Sequence, residues 1–273
     1  MHKGTVLTTG ANSGIGLLTA IEAARRGYRS VGTVRSEEKA AVLVAAAEDA
    51  GVEVEAALLD VTDADECRRV VTEVGDLYGL VNNAGYSNTG AVEDVDDDAV
   101  RHQLETMTVA PMRLARLALP AMRAAGRGRI VNVSSIFGRT TTPLTGWYQA
   151  TKHALEAVSD ALRVEVAASG VRVVLVEPGG FRTGIWENNE GAVARHADSR
   201  FRDAYAREVR LARLAQPLMG DPARVASVIG RVLDSPLPRA RYLVGYDAYA
   251  LAVTQRLTPT SVKDLVTRLS MGL

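Results

Sequence analysis

Thr9-Gly10-Ala11-Asn12-Ser13-Gly14-Ile15-Gly16 is the stretch on which the reading of this chain turns. It follows a short β-forming run, Thr5-Val6-Leu7-Thr8, and leads into a segment from Gly16 to Arg26 with apolar residues at spacings of three and four. Strand, glycine-rich turn and helix in that order bring backbone N–H groups to the positive end of the helix. Glycines there let a pyrophosphate approach those groups. Alone, such a turn is weak evidence, because glycine turns without ligands are common. The rest of the chain must supply what a nucleotide needs.

Outward from that turn, short β-rich runs alternate with longer alanine- and leucine-rich stretches, the pattern of parallel strands joined by crossover helices. Strands are expected around Thr5 to Thr8, Ser30 to Val34, Val54 to Leu59, Leu80 to Asn82, Ile130 to Val133, Val171 to Val176 and Tyr242 to Val244. Helices are expected over Gly16 to Arg26, Ala64 to Tyr78, Asp97 to Ala125, Trp147 to Ala168 and Pro222 to Leu233, the last announced by Asp221-Pro222. The expected architecture is α/β, a Rossmann-like doubly wound parallel sheet with helices on both faces, formed by residues 1–273 as a single domain. The stretch from about 184 to 220 has no strand character and reads as an insertion over the substrate side.

The 273 residues are 47% hydrophobic and 23% charged with a formal net charge of +0, which gives no general reason to expect nucleic acid as a partner. The single cysteine, Cys67, forms no internal disulfide, and a cytoplasmic setting is the expectation. No signal peptide and no run approaching the roughly 20 apolar residues of a membrane span is read. No metal site is read either.

Further motifs follow in order. Asp60-Val61 ends the third strand, Asn82-Asn83-Ala84-Gly85 follows the fourth and Ser134-Ser135 the fifth. Tyr148 and Lys152 open a helix, and Pro178-Gly179, Phe181 and Thr183 follow the sixth strand. With the TGxxxGIG spacing of the first turn, this set resembles the short-chain dehydrogenase/reductase family over at least Lys3 to Thr183. The tail, Arg239 to Gly245 with Leu257-Thr258-Pro259, loosely resembles the branch that holds the 17β-hydroxysteroid and retinol dehydrogenases. The resemblance implies seven strands in the order 3-2-1-4-5-6-7. It implies a nicotinamide dinucleotide held by Gly10, Asn12, Ser13, Gly14, Ile15 and Gly16, with Asp60 and Val61 beside the adenine. Asn83, Ala84 and Gly85 would line the ribose and sheet centre, while Tyr148, Lys152, Pro178, Gly179, Phe181 and Thr183 complete the site. It implies Ser135, Tyr148 and Lys152 as catalytic residues, and a homodimer or homotetramer paired through the helices at Asp97 to Ala125 and Trp147 to Ala168.

The chemistry has its own logic. Residues four apart share a helix face, so Tyr148 and Lys152 project together. A free phenol has a pKa of about 10, and a neighbouring ammonium is expected to lower it, giving a group that can exchange a proton with a carbonyl or alcohol. The Ser135 hydroxyl could stabilise charge on the substrate oxygen. At the end of the second strand, where NAD-preferring enzymes place an acid, this chain has Arg35, a fork suited to a 2′-phosphate. NADP(H) is therefore expected, with NAD(H) admissible.

One departure concerns the asparagine that completes a tetrad in similar enzymes. Met107 occupies its position and cannot supply its donor and acceptor. A backbone carbonyl with Thr106 or Thr108 could substitute, turnover could be slower, or catalysis could be lost. The substrate is expected to be a lipophilic or biosynthetic ketone, aldehyde or secondary alcohol. A dinucleotide-sensing regulator and a nucleotide-sugar epimerase or dehydratase are the alternatives. In the insertion, Phe201, Tyr205, Val209 and Leu214 are expected to form an apolar strip, and its arginines leave room for an anionic substrate.

Overall fold

Side chains on a strand alternate between its two faces, so each central strand of a covered sheet feeds two cores. In the computed structural model, which describes residues 2–184, 191 and 194–273, this is visible residue by residue. Leu7, Leu80, Ile130 and Val173 pack on one side with Leu114 and Met122. Their immediate neighbours Val6, Val81, Val131 and Val174 pack on the other with Val225, Ile229 and Val232.

The strands are β1 (Thr5–Thr8), β2 (Arg29–Val34), β3 (Glu55–Leu58), β4 (Leu77–Asn82), β5 (Gly128–Val133), β6 (Val171–Pro178) and β7 (Arg241–Val244). They form one sheet in the order β3-β2-β1-β4-β5-β6-β7, with every neighbouring pair parallel. Around it lie α1 (Gly14–Arg25), α2 (Glu37–Asp49), α3 (Ala64–Val74), α4 (Asp97–Leu104), α5 (Ala110–Ala124), α6 (Gly146–Glu165), α7 (Arg202–Ala215), α8 (Ala223–Asp234), α9 (Tyr246–Leu257) and α10 (Thr260–Met271).

Three local differences from the sequence reading have physical causes. Helix α2 is additional. Ser36 caps it by accepting from the Lys39 N–H at 3.4 Å, and it buries only Leu43 and Ala47, so its apolar period is faint. Helix α3 ends at Val74 rather than Tyr78, because Gly75 takes a φ of 76° and Leu77 already begins β4. The expected long helix from Asp97 is interrupted by a π turn over Glu105–Val109. Pro111 has no N–H for the carbonyl of Met107 four residues earlier, and the Ala110 N–H bonds back to Glu105 five residues away.

Two asparagines lock the middle of the sheet to the helices. Asn82 donates to the Asn132 side chain at 2.8 Å and to the Pro111 carbonyl at 3.3 Å, and Asn132 donates to Ser159 at 2.8 Å. The carboxyl ends of β4 and β5, at the edge where doubly wound sheets bind their ligands, are thereby fixed relative to α5 and α6.

Candidate active site

At the first turn, Gly10 and Gly14 adopt φ values of 65° and 53°, which favour glycine. Gly16 serves close packing: a Cβ there would lie 2.2 Å from the Gly10 carbonyl oxygen and 2.4 Å from Asn83 Nδ2. Asn83 closes the turn from the side, its amide donating to the carbonyls of Thr9 and Gly10 at 3.0 and 3.2 Å. Thr9, which sequence reasoning passed over, accepts at its hydroxyl from the N–H groups of Asn83 and Ala84, both at 3.0 Å. The first turn of α1 holds no acidic residue, and Ser13 at its N-cap makes no side-chain capping bond. The N–H groups at that end therefore face a cleft rather than a carboxylate.

The cleft has a volume of about 650 Å³. Of the residues assigned to the nucleotide, it collects Gly10, Asn12, Ser13, Gly14, Ile15 and Arg35, then Asp60, Val61, Asn83, Ala84, Gly85 and Thr183. Gly16 lies behind it, in the packing just described. Arg35 is exposed and, among the described residues, makes no ion pair with Glu37 or Glu38. Burial disfavours ionisation of Asp60, yet hydrogen bonds from Thr62 and the charges of Arg35 and His102 hold its carboxyl below the usual range. Lys39, in the first turn of α2, also lines the cleft and is a second cation that the sequence reading missed. An anion-receptive helix end, a glycine cradle and a cationic strand end together fit a phosphorylated dinucleotide.

A second cavity of about 540 Å³ opens from the first, sharing Ile15, Asn83, Gly85, Tyr86 and Thr183 with it. Ser135, Tyr148 and Lys152 meet there, with Pro178, Gly179 and Phe181 on its edge. Ser135 ends the extended chain after β5, and its Oγ accepts from the Phe137 N–H at 3.1 Å. Lys152 Nζ donates to the Val133 carbonyl at 2.9 Å and lies 5.8 Å from the centre of the Tyr148 ring. Phe137 meets that ring edge-on at 6.4 Å. Ser134 is buried, and His153 is exposed with its Nδ1 2.9 Å from the Gln149 carbonyl.

The expected acidification of Tyr148 is overturned. Burial pushes its phenol up to about 12, and only a hydrogen bond with Ser135 works the other way. Lys152 does not offset this, because burial lowers it to about 8 against the attraction of Glu156, and its ammonium is turned toward Val133. Burial disfavours the charged form of each group, the phenolate and the ammonium alike.

Met107 is 1% exposed and fills the side of the cavity that Gly85 leaves open, where a Cβ would lie 2.8 Å from the sulfur. Neither neighbouring threonine turns its hydroxyl donor to the site: Thr106 donates to the His102 carbonyl at 2.8 Å and Thr108 to that of Thr151 at 3.0 Å. On α7 the cavity-lining stripe is Glu208, Leu211, Ala212 and Ala215, rotated from the expected one, and Leu214 is 69% exposed. None of the described arginines of that insertion lines the cavity, which removes the basis for an anionic substrate. Among the described residues no group of His, Cys, Asp or Glu could hold a metal, and no helix is long and apolar enough to cross a membrane.

The model of the short chain dehydrogenase family matches residues 4–193. An uncharacterized oxidoreductase of Bacillus subtilis, YusZ, is 33% identical over 97% of this chain and 98% of its own. Retinol dehydrogenase 5 of Mus musculus is 32% identical over 96% of this chain and 86% of its own. Among solved structures, an actinorhodin polyketide ketoreductase with NADPH superposes with a TM-score of 0.78 at 28% identity, covering 92% of this chain and 99% of that one.

Proposed function

The chain belongs to the short-chain dehydrogenase family, and we propose that it is an NADP(H)-dependent oxidoreductase acting on a lipophilic ketone or aldehyde, or on the matching secondary alcohol. One observation carries the reading: the nucleotide cleft runs without a break into a largely apolar cavity on which Ser135, Tyr148 and Lys152 converge. The NADPH bound to the similar ketoreductase supports the choice of cofactor.

The dinucleotide, when bound, supplies or accepts the hydride. Its pyrophosphate would be held at the N-terminus of α1 by Gly10, Ser13, Gly14 and Ile15, and a 2′-phosphate by Arg35 with Lys39. Tyr148, on the cavity wall with Ser135, is placed to protonate the carbonyl oxygen as hydride arrives at carbon and to take the proton back in the reverse oxidation. Ser135 steadies the developing charge on that oxygen. Lys152, its Nζ donating to the Val133 carbonyl at 2.9 Å, would hold the nicotinamide ribose beside Tyr148. The apolar walls exclude water from the step.

In this proposal the chain is a single domain, with residues 194–220 of the insertion covering the cavity. It pairs with further copies through α4, α5 and α6, and light scattering that finds only monomer contradicts the pairing.

Fluorescence titration with NADPH and NADH, followed by a screen of carbonyl compounds for cofactor consumption, tests the rest. The expected result is tighter NADPH binding, a preference that Arg35→Ser reduces about tenfold. Equal binding of both cofactors by wild type and variant contradicts it.

A further inference from the structure

Helix α7 presents Glu208, Leu211, Ala212 and Ala215 to the substrate cavity, positions that fall on one helical face. Three of the four suit an apolar wall, and the carboxyl does not. Among the described residues, one enclosed Glu208 oxygen has no hydrogen-bond partner, although arginines stand at positions 202, 207, 210 and 213 of the same helix. Burial pushes this carboxyl up to about 7. Such a group costs stability unless something it binds completes it.

The helix is held in place, so the carboxyl is not a stray surface group. Tyr205, one turn earlier and fully buried, donates to Asp94 at 2.6 Å and accepts from the Ala91 N–H at 2.6 Å. The cavity's other carboxylate, Asp247, is already engaged by the Gly180 N–H at 2.5 Å. Glu208 thus offers an uncommitted acceptor on the wall built by α7, while Ser135 and Tyr148 come from β5 and α6.

We propose that Glu208 is a specificity-determining residue whose carboxyl receives a hydrogen-bond donor, a hydroxyl or an ammonium, carried by an otherwise apolar substrate away from its reacting carbonyl. This rests on the cavity being the substrate site of the oxidoreductase. It narrows the substrate class from lipophilic carbonyl compounds to amphipathic ones, hydroxy- or amino-ketones. The donor satisfies the enclosed oxygen, and the apolar body meets Leu211, Ala212 and Ala215.

The test uses medium-chain methyl ketones of one length that end in a methyl, a hydroxyl or an ammonium group, with wild type, Glu208→Gln and Glu208→Leu. In wild type, kcat/KM for at least one polar-ended ketone is expected to exceed that for the methyl-ended one about tenfold or more, the difference lying in KM. Glu208→Leu reverses the ranking. Glu208→Gln keeps a preference for a hydroxyl and loses one for an ammonium, which tells the two donors apart. Calorimetric titration of a medium-chain alkylamine and alkanol into the protein with NADPH reads the same contact without turnover. There, Glu208→Leu is expected to weaken one of the two about tenfold. A ranking and an affinity unchanged in Glu208→Leu overturn the proposal. Failure of the oxidoreductase reading is distinct: no ketone consumes NADPH in any variant, while the calorimetric comparison still decides Glu208.

Discussion

The nucleotide cleft and the substrate cavity share a border but are built on different principles. The first is backbone: glycine conformations, helix-end N–H groups and the Thr9 and Asn83 bonds leave little latitude for substitution. The second depends on side chains, and one part of its wall comes from α7, α9 and α10, beyond the motifs that carry the resemblance. A turn fixed by backbone geometry admits few side chains, whereas an apolar wall accepts other apolar residues at small cost.

The sharpest break between the two regions is expected at the residue that serves chemistry against stability. Lys152→Met should lower kcat about 100-fold or more, yet leave the cofactor-free protein as stable as wild type at pH 7 or more so, because a buried ammonium is removed. Lys152 titrates at about 8 when folded against an ordinary 10.5, so between those values the unfolded chain binds more protons and wild-type stability rises with pH. The advantage of the variant should shrink across that window. Denaturation at a series of pH values measures it, and a variant markedly less stable at pH 7 would refute the burial argument.

Next in size is a pair of glycines. Gly16→Val places a side chain against the Gly10 carbonyl and Asn83, and is expected to cost about 1–3 kcal/mol with about a tenfold loss of NADPH affinity. At Gly180, on the substrate side, a Cβ would meet Asp247 at 3.4 Å and Met219 at 3.7 Å. Gly180→Ala should change stability by no more than about 0.5 kcal/mol and act on substrate KM alone. Similar losses at both glycines in thermal melts and titrations would erase the contrast.

The smallest effect is expected at the border itself. Met107→Asn should keep activity or raise it, because Ser135, Tyr148 and Lys152 converge without a polar group at that position. Steady-state rates showing near-total loss in a folded variant would count against this.

The same division explains what the sequence made legible. Glycines, Asn83 and the Tyr148 and Lys152 pair stand at strand ends and on one helix face, where spacing dictates position, and the strands announced themselves by buried runs such as Thr5–Thr8. The interruption at Glu105–Val109 depends on one missing N–H at Pro111, a signal present in the sequence but not used. The phenol's pKa went the other way because burial is a property of the whole fold, which no four-residue spacing reports. Glu208 looked like one charge among many on an arginine-rich helix. Only the Tyr205 anchor shows which face turns inward, although an acid three residues past a buried aromatic was a usable hint.

The most direct measurement is turnover set beside nucleotide binding in Tyr148→Phe. The account predicts NADPH affinity within about threefold of wild type and a carbonyl reduction rate lower by about 100-fold or more. A folded variant that binds NADPH and reduces the carbonyl at the wild-type rate would contradict it.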